Sequence, residues 1–488
     1  MKNIKIILTV LIAATGFSSC KKYLEQLPDQ RTELNSPEKV AELLATAYPQ
    51  ANYIPFTEAM SDNAADKGIV SQSESVNSDP WFFRDVRYND RDSPAFYWRA
   101  CYAAIAAANH ALEAIDKADK PQDYKSSKGE ALVARAYAHF MLVTLFSKVY
   151  DPATAAVDPG IPYVTKPEDV VIAKYERKTV AFVYEQIEKD LTEGLPLIVN
   201  TSYKVQKYHF TTSAAHAFAS RFYLFKRDYP KVIAHANEVF LGTNPAGMLR
   251  QLNSQEYRNL SGSFNELEAR YTKATESSNL LLTEMPSIWG RSYPTYRFGL
   301  TQQLYPGILS SNVSGQQLAY TSYLYTRGDP SNIFIPKFRE HFVRDGINSN
   351  IGFPYNMVPL FSAEEVLLNR AEAFAASGNY GSAVDDINTF LSVRIVGYIP
   401  SDNIDLDAIY SYYNTIDPKE GIIKTVLDLK RAEFLFEGLR WFDILRHKLT
   451  VVHRPVGEEE IVVGPNDPRR VLQLPAEAQS AGLELNPR

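Results

Sequence analysis

Apolar residues recur every three or four positions along most of the chain. These stretches come in pairs divided by short polar or proline turns, and a span rich in Ser, Gly, Pro, Tyr and Asn precedes the last pair. Together they predict a mainly α-helical protein of tetratricopeptide-like helix pairs with a loop-rich insertion. A short helix is expected after Ser36-Pro37, with serine as the cap and proline at the first position. Residues 61–94 read as polar and broken. The first helix pair spans Tyr97 to Ile115 and Lys128 to Val149, split at Lys120-Pro121; a proline-rich loop runs from Asp151 to Pro167, and a helix covers Thr179 to Thr192. The second pair, Thr212–Lys226 and Tyr229–Leu241, turns at Asp228-Tyr229-Pro230 and has Val232 where a repeat would carry alanine. The insertion occupies 242–360. The third pair, Ser362–Ser377 and Tyr380–Val393, keeps Ala371, Gly378, Tyr380 and Ala383 at repeat offsets, with small residues where the helices cross. Long insertions between the pairs exclude a simple open solenoid.

The final segment, Arg431 to Arg446, is read as one helix. Ala432, Leu435, Leu439, Phe442, Leu445 and Leu449 form an apolar stripe, and Glu437, Arg440, Asp443 and Arg446 a ladder of alternating charge beside it. Gly438 inside a helix costs roughly 1 kcal/mol relative to alanine, which predicts close approach by another backbone.

Composition bounds the function. The 488 residues suffice for two or more domain-sized units, and 45% apolar with 22% charged residues describes an ordinary globular body. With 51 basic and 57 acidic residues the net charge is -6, and no basic half points to nucleic acid. Lys2 and Lys5, the apolar run Ile6 to Ala14 and the small residues ending at Ser18-Ser19 read as an export signal over residues 1–19, too short to span a bilayer. Its removal takes away two lysines and no acid, moving the charge from -6 to -8. Cys101 lies in an alanine-rich helical run and reads as a small buried apolar residue.

Motifs for covalent chemistry are sparse. There is no His-Glu-x-x-His, Gly-x-Ser-x-Gly or P-loop pattern, and the eight histidines are scattered. Glu364-Glu365 and Asp385-Asp386 read as solvated helix faces. A glycosidase needs two carboxylates converging across a cleft, a pairing that 57 acids leave open. No cofactor is called for. Asp402, Asp405 and Asp407, with Asn403, could contact Ca²⁺, but their spacing does not fit an EF-hand, and a helix cap is the simpler role for Asp405.

A sugar presents an apolar C–H face and a ring of hydroxyls, so a site for it combines exposed aromatic planes with polar side chains. Two loops have that composition. One holds Trp81, Phe82, Phe83, Arg84, Tyr88, Asn89 and Asp92; the other holds Trp289, Arg291, Tyr293, Tyr296 and Arg297, with Tyr320, Tyr323 and Tyr325 further on. Trp81, Phe83, Tyr88, Asn89, Trp289, Tyr293 and Tyr296 are the candidate ligand contacts. Trp81 leads, because Asp79-Pro80 is read as a turn. The competing reading is that these rings pack the insertion against the helices.

The C-terminal segment resembles the signature of the SusD/RagB family of outer-membrane nutrient-binding lipoproteins. Arg431, Glu437, Gly438, Arg440, Asp443 and Arg446 stand at matching places, with Lys430 in place of a glutamate. The resemblance extends along the chain through Trp98, Tyr102, Ile105 and Asn109; Gly129-Glu130-Ala131 and Arg135-Ala136-Tyr137; Phe146 and Val149; Ala214-Ala215, Arg221 and Tyr223-Leu224; and Leu474-Pro475 with Asn486-Pro487. It implies a SusD-like α-α superhelix divided into a lipidated Cys20 and tether (20–35), an N-terminal helical region (36–241), the insertion (242–360) and a C-terminal region (361–488). Ser18-Ser19-Cys20 resembles a lipobox, with Phe17 a departure at the usual leucine position, so Cys20 is the expected lipid attachment site. The resemblance further implies a surface-exposed, lipid-anchored outer-membrane protein that binds glycan and acts as a hinged lid on a TonB-dependent SusC-like barrel transporter. Peptide cargo, as in RagB-like relatives, is the nearest alternative. A surface glycoside hydrolase and a repeat scaffold are more distant ones.

Overall fold

The computed structural model describes residues 34–68, 73–168, 174–347 and 349–488. The expected export segment and Cys20 lie outside the described residues. The first helix begins where its cap predicts. Ser36 accepts from Lys39 N ahead of α1 (Pro37–Leu44); α2 (Ile54–Met60) and α3 (Ser75–Trp81) follow. The stretch 61–94 is therefore not wholly broken, and Trp81 closes a helix rather than sitting in a turn, because Pro80 is accommodated near the end of α3. Ser93 caps α4 (Pro94–Asp116), which runs antiparallel beside α5 (Lys125–Phe146). Every residue of α5 from Gly129 to Phe146 is buried, so this helix is the axis of the N-terminal half.

Against α5 lies α6 (Val180–Gly194), capped by Thr179. Their contact is backbone to backbone. A Cβ on Gly129 would stand 2.7 Å from the Gly194 carbonyl oxygen, and one on Gly194 would stand 2.9 Å from that of Gly129. Arg135 fastens the same pair with two 2.7 Å bonds to Asp190 and reaches Asn109 of α4 at 2.8 Å. The second pair is α7 (Thr212–Lys226) and α8 (Tyr229–Val239), and the third is α9 (Ala363–Ala376) and α10 (Tyr380–Ser392). Asp228 caps α8 and Asn379 caps α10, so each turn residue starts the next helix. Ala371 and Ala383 are fully buried at the last crossing, and α8 packs on α9 to continue the helical stack. Val232 is buried as well. Cys101 is a buried apolar residue whose thiol pKa burial pushes up.

The segment 242–360 has more order than its composition predicts. It holds short helices and an antiparallel sheet in the order β1 (Asn279–Pro286), β3 (Gly352–Ser362), β2 (Glu340–Arg344). Register places Glu284 opposite Met357 and Val343 opposite Phe353. Strand β3 runs directly into α9 through the capping residue Ser362, so the sheet is joined to the helical body.

The C-terminal signature is not one helix. Two further helices, α11 (Leu406–Tyr413) and α12 (Pro418–Glu433), precede a sharp turn, and α13 (Leu439–Arg446) starts anew. Phe436 and Gly438 both have φ of 72°. A Cβ on Gly438 would lie 2.2 Å from Thr57 Oγ1 and 3.2 Å from Ile54 Cα, so the predicted close approach exists, but at a turn against α2. Glu58 of α2 holds this turn: its carboxylate accepts from Phe436 N and Gly438 N, each at 2.9 Å, and from Asn63 Nδ2 at 3.2 Å. The charge ladder is only partly internal. Arg446 meets Asp443 at 2.6 Å, whereas Arg440 pairs with Asp62 and Glu437 with Lys337.

Glu364 and Glu365 are not on a solvated face, and neither is Asp386; Asp385 alone of these four is exposed. Glu364 accepts from Arg250 N at 2.7 Å, Arg250 Nη1 at 3.1 Å, Arg394 Nη2 at 3.2 Å and the Ser278 hydroxyl. Arg394 continues to Glu433 at 2.7 Å and to the Arg250 carbonyl at 2.7 Å. Lys337 joins Glu437 at 2.6 Å and the Glu433 carbonyl at 2.5 Å. Three cations thus balance three carboxylates, all buried. Burial alone would raise the Glu433 carboxyl; Arg394 beside it holds it down to about 2. Glu365 separately pairs with Arg221 at 2.6 Å, and Asp386 with Arg370 at 2.7 Å.

Removing one partner of such a network strands the others. Glu364→Ala is expected to cost about 3–5 kcal/mol, read as a lowered urea midpoint; a midpoint within error of wild type would contradict this assignment. Glu58 supplies a pH test. Burial pushes its carboxyl from 4.5 up to about 7, against the pull of the two backbone N–H groups. The folded protein therefore binds this proton more tightly than the unfolded chain. The associated stability is fully present below pH 4.5 and lost as pH rises through 7, a change of about 3 kcal/mol. Urea midpoints at acid and neutral pH should fall less steeply in Glu58→Gln than in wild type, and equal slopes would refute it.

Candidate functional site

Most of the aromatic residues singled out in the two loops are structural. Trp81 is completely buried between the Phe298 ring, 4.2 Å away, and the His453 ring, 4.6 Å away and nearly parallel; its Nε1 donates to the Ala64 carbonyl at 3.0 Å. Phe83 is buried against His453 and Trp441. Trp289 donates to the Phe436 carbonyl at 3.2 Å, so it braces the turn that Glu58 holds. Tyr293 is buried, with its hydroxyl donating to the Ile335 carbonyl at 2.9 Å. Tyr296 is buried beside Trp289. Tyr320 and Tyr323 are also buried, the first donating to Glu433. These faces are covered by protein, which corrects the expectation that they are exposed planes. Apolar rings flanked by polar residues in sequence looked like loop surface, but long-range partners close over them.

Tyr88 and Asn89 differ. Both are exposed, Tyr88 at 42%. Their loop is pinned at both ends. Arg87 makes a bidentate pair with Asp79 at 2.9 and 3.0 Å, and Asp92 accepts from Ile288 N at 2.9 Å. Burial pushes the Asp92 carboxyl up to about 6. Between these pins Arg91 lays its guanidinium over the Phe353 ring at 4.4 Å. Phe353 sits on β3 with 42% of its surface exposed, opposite Val343, itself 41% exposed. Strand alternation puts His341 on the same face as Val343, and His341 pairs with Glu284 at 3.0 Å. Phe353 and Val343 thus form an exposed apolar patch that Arg91 ties to the loop carrying the exposed Tyr88 ring, and Asn89, Arg91, His341 and Glu284 carry the donors and acceptors of these two segments. Phe353, Val343 and His341 escaped the sequence reading. Their alternation along β2 and β3 was present, but the span was read as irregular.

This surface lies on rigid supports and can bind a ligand by stacking and hydrogen bonding. Among the described residues no group of three or more His, Cys, Asp or Glu side chains could hold a metal ion. Asp405 caps α11, accepting from Ala408 N at 2.9 Å. Among the described residues no helix is long and apolar enough to cross a membrane.

Paired helices carrying an ordered insertion with exposed aromatic side chains define a helical-repeat protein with a candidate binding face. Two family models match the chain in order: one described as starch-binding, associating with the outer membrane, over residues 22–224, and one for the SusD family over residues 309–478. The chain belongs to the SusD/RagB family. It is 23% identical over 501 positions to SusD-like protein P38 of Formosa agariphila, covering 93% of each chain. Its fold is that of a SusD superfamily protein from Bacteroides thetaiotaomicron, with a TM-score of 0.70, 20% identity, and coverage of 93% of this chain and 100% of the other. A laminarin-binding SusD-like protein matches with a TM-score of 0.61, 19% identity, and coverage of 93% and 99%.

The burial of Trp81 separates support from contact. Trp81→Ala should lower stability by about 3–5 kcal/mol, measured by urea denaturation. A stable Trp81→Ala variant with a wild-type midpoint would show that the ring does not carry this packing.

Proposed function

We propose that this chain is a cell-surface glycan-binding lipoprotein, anchored to the outer membrane through Cys20, which captures oligosaccharide for a TonB-dependent SusC-like transporter. The observation that carries this reading is the Tyr88–Arg91–Phe353 surface. The exposed Tyr88 ring stands on a loop pinned by Asp79 and Asp92, and Arg91 of the same loop lies over the half-exposed Phe353 ring of β3. Pyranose rings stack their C–H faces on such planes, while Asn89 and His341 stand ready for hydroxyls. Membership of a family described as starch-binding and outer-membrane-associated supports both the ligand class and the location. In this reading the protein binds and releases its ligand unchanged, without a cofactor, and the barrel partner performs import.

Titration of the purified protein against neutral and acidic oligosaccharides and against peptides tests the proposal. A saccharide is expected to bind, and the Tyr88→Ala, Phe353→Ala double variant should weaken it by about tenfold or more while keeping the wild-type urea midpoint. Binding of peptides with no saccharide response would overturn the glycan reading in favour of peptide uptake. Turnover of the bound saccharide would overturn it in favour of a hydrolase.

A further inference from the structure

Arg84 stands at the start of the Tyr88 loop and differs from the other arginines around it. Arg87, Arg91, Arg99, Arg469 and Arg488 each have a carboxylate within ion-pair distance: Asp79, Asp90, Glu477, Asp467 and Asp85 respectively. Arg84 has none among the described residues. Its guanidinium lies over the Phe82 ring at 4.4 Å. Phe82 is itself wedged edge-on against Trp81 at 4.9 Å and Phe298 at 5.4 Å, so the shelf beneath the cation is anchored in the buried cluster. Together with Asn89, Arg84 lines a cavity of about 250 Å³ between this loop and the C-terminal segment.

A guanidinium held over a ring with no carboxylate partner keeps N–H donors available, and its fork of donors matches the two oxygens of a carboxylate or sulfate. Arg469, Arg488, Asp85 and Glu477 line the same cavity, but the two arginines pair with Asp467 and Asp85 and Glu477 pairs with Arg99, which leaves Arg84 as the cation there without a carboxylate partner among the described residues. We propose that Arg84 is the specificity-determining residue for an anionic group on the ligand, so that the glycan is acidic: a pyranose chain bearing carboxylates, as in uronic acids, or sulfate esters. This deepens the glycan reading and rests on it.

The test titrates wild type, Arg84→Ala and Arg84→Lys with three matched oligosaccharides: a uronic acid oligomer, its carboxyl-reduced neutral counterpart, and the neutral oligomer after sulfation. Wild type should prefer at least one anionic form over the neutral one by about tenfold or more, with the gap narrowing as salt rises. The arm that shows the preference identifies the group as carboxylate or sulfate. Arg84→Ala should bring the anionic ligand's affinity down to that of the neutral one, and Arg84→Lys should retain part of the preference. Equal binding of neutral and anionic forms by wild type, or a gap that survives in Arg84→Ala, overturns this inference and leaves the glycan reading standing. Failure of all three saccharides to bind overturns both. The urea midpoint of each variant, expected to match wild type because Arg84 is exposed, separates a binding defect from a folding one.

Discussion

Glu364 is the residue on which the rest of the structure converges. One carboxylate accepts from Arg250, Arg394 and Ser278, which come from three different parts of the chain, and through Arg394 it reaches Glu433 at the end of α12. The cost of desolvating six charges is offset only because they balance and because hydrogen bonds satisfy the oxygens. That requirement locks the insertion, the third helix pair and the signature turn into one relative placement. A shift of any member would leave a charge buried without its partner. Specificity of assembly, more than net stability, is what such a network contributes.

The signature turn is the second fixed point, and it is fixed by sterics. Gly438 faces Thr57 too closely for any side chain, Glu58 grips the two N–H groups around it, and Trp289 closes from the insertion side. The residues that mark the family therefore hold scaffold pieces together, and the proposed ligand surface lies elsewhere, on the Tyr88 loop and the β2–β3 hairpin.

Local features were legible from sequence. The caps Ser36 and Asp405 and the turn residue Asp228 place helix starts through bonds that reach only three residues. What failed needed distant partners. Glu364 looked like half of a solvated acid pair because its arginines lie 30 and 114 residues away. Arg431 to Arg446 read as one helix because apolar residues recur straight through the turn, where every residue from Ala432 to Leu445 is buried, so the pattern continued where the backbone did not. Of the candidate contacts, Tyr88 and Asn89 are exposed, whereas Trp81 is buried. Exposure of a ring depends on what folds over it, and here that was Phe298 and His453. Phe353 was hidden by a span whose composition resembles loop.

The layering of rings at the site divides labour by depth. Trp81, Phe298 and His453 form the buried course, Phe82 the transition and Arg84 the outer course, while Tyr88 and Phe353 meet solvent. Exposed side chains far from the core are usually exchanged within about 0.5 kcal/mol. The outer course can therefore be rewritten residue by residue without unsettling the masonry beneath. One scaffold of this kind can change its outer surface over evolutionary time while its foundations stay in place.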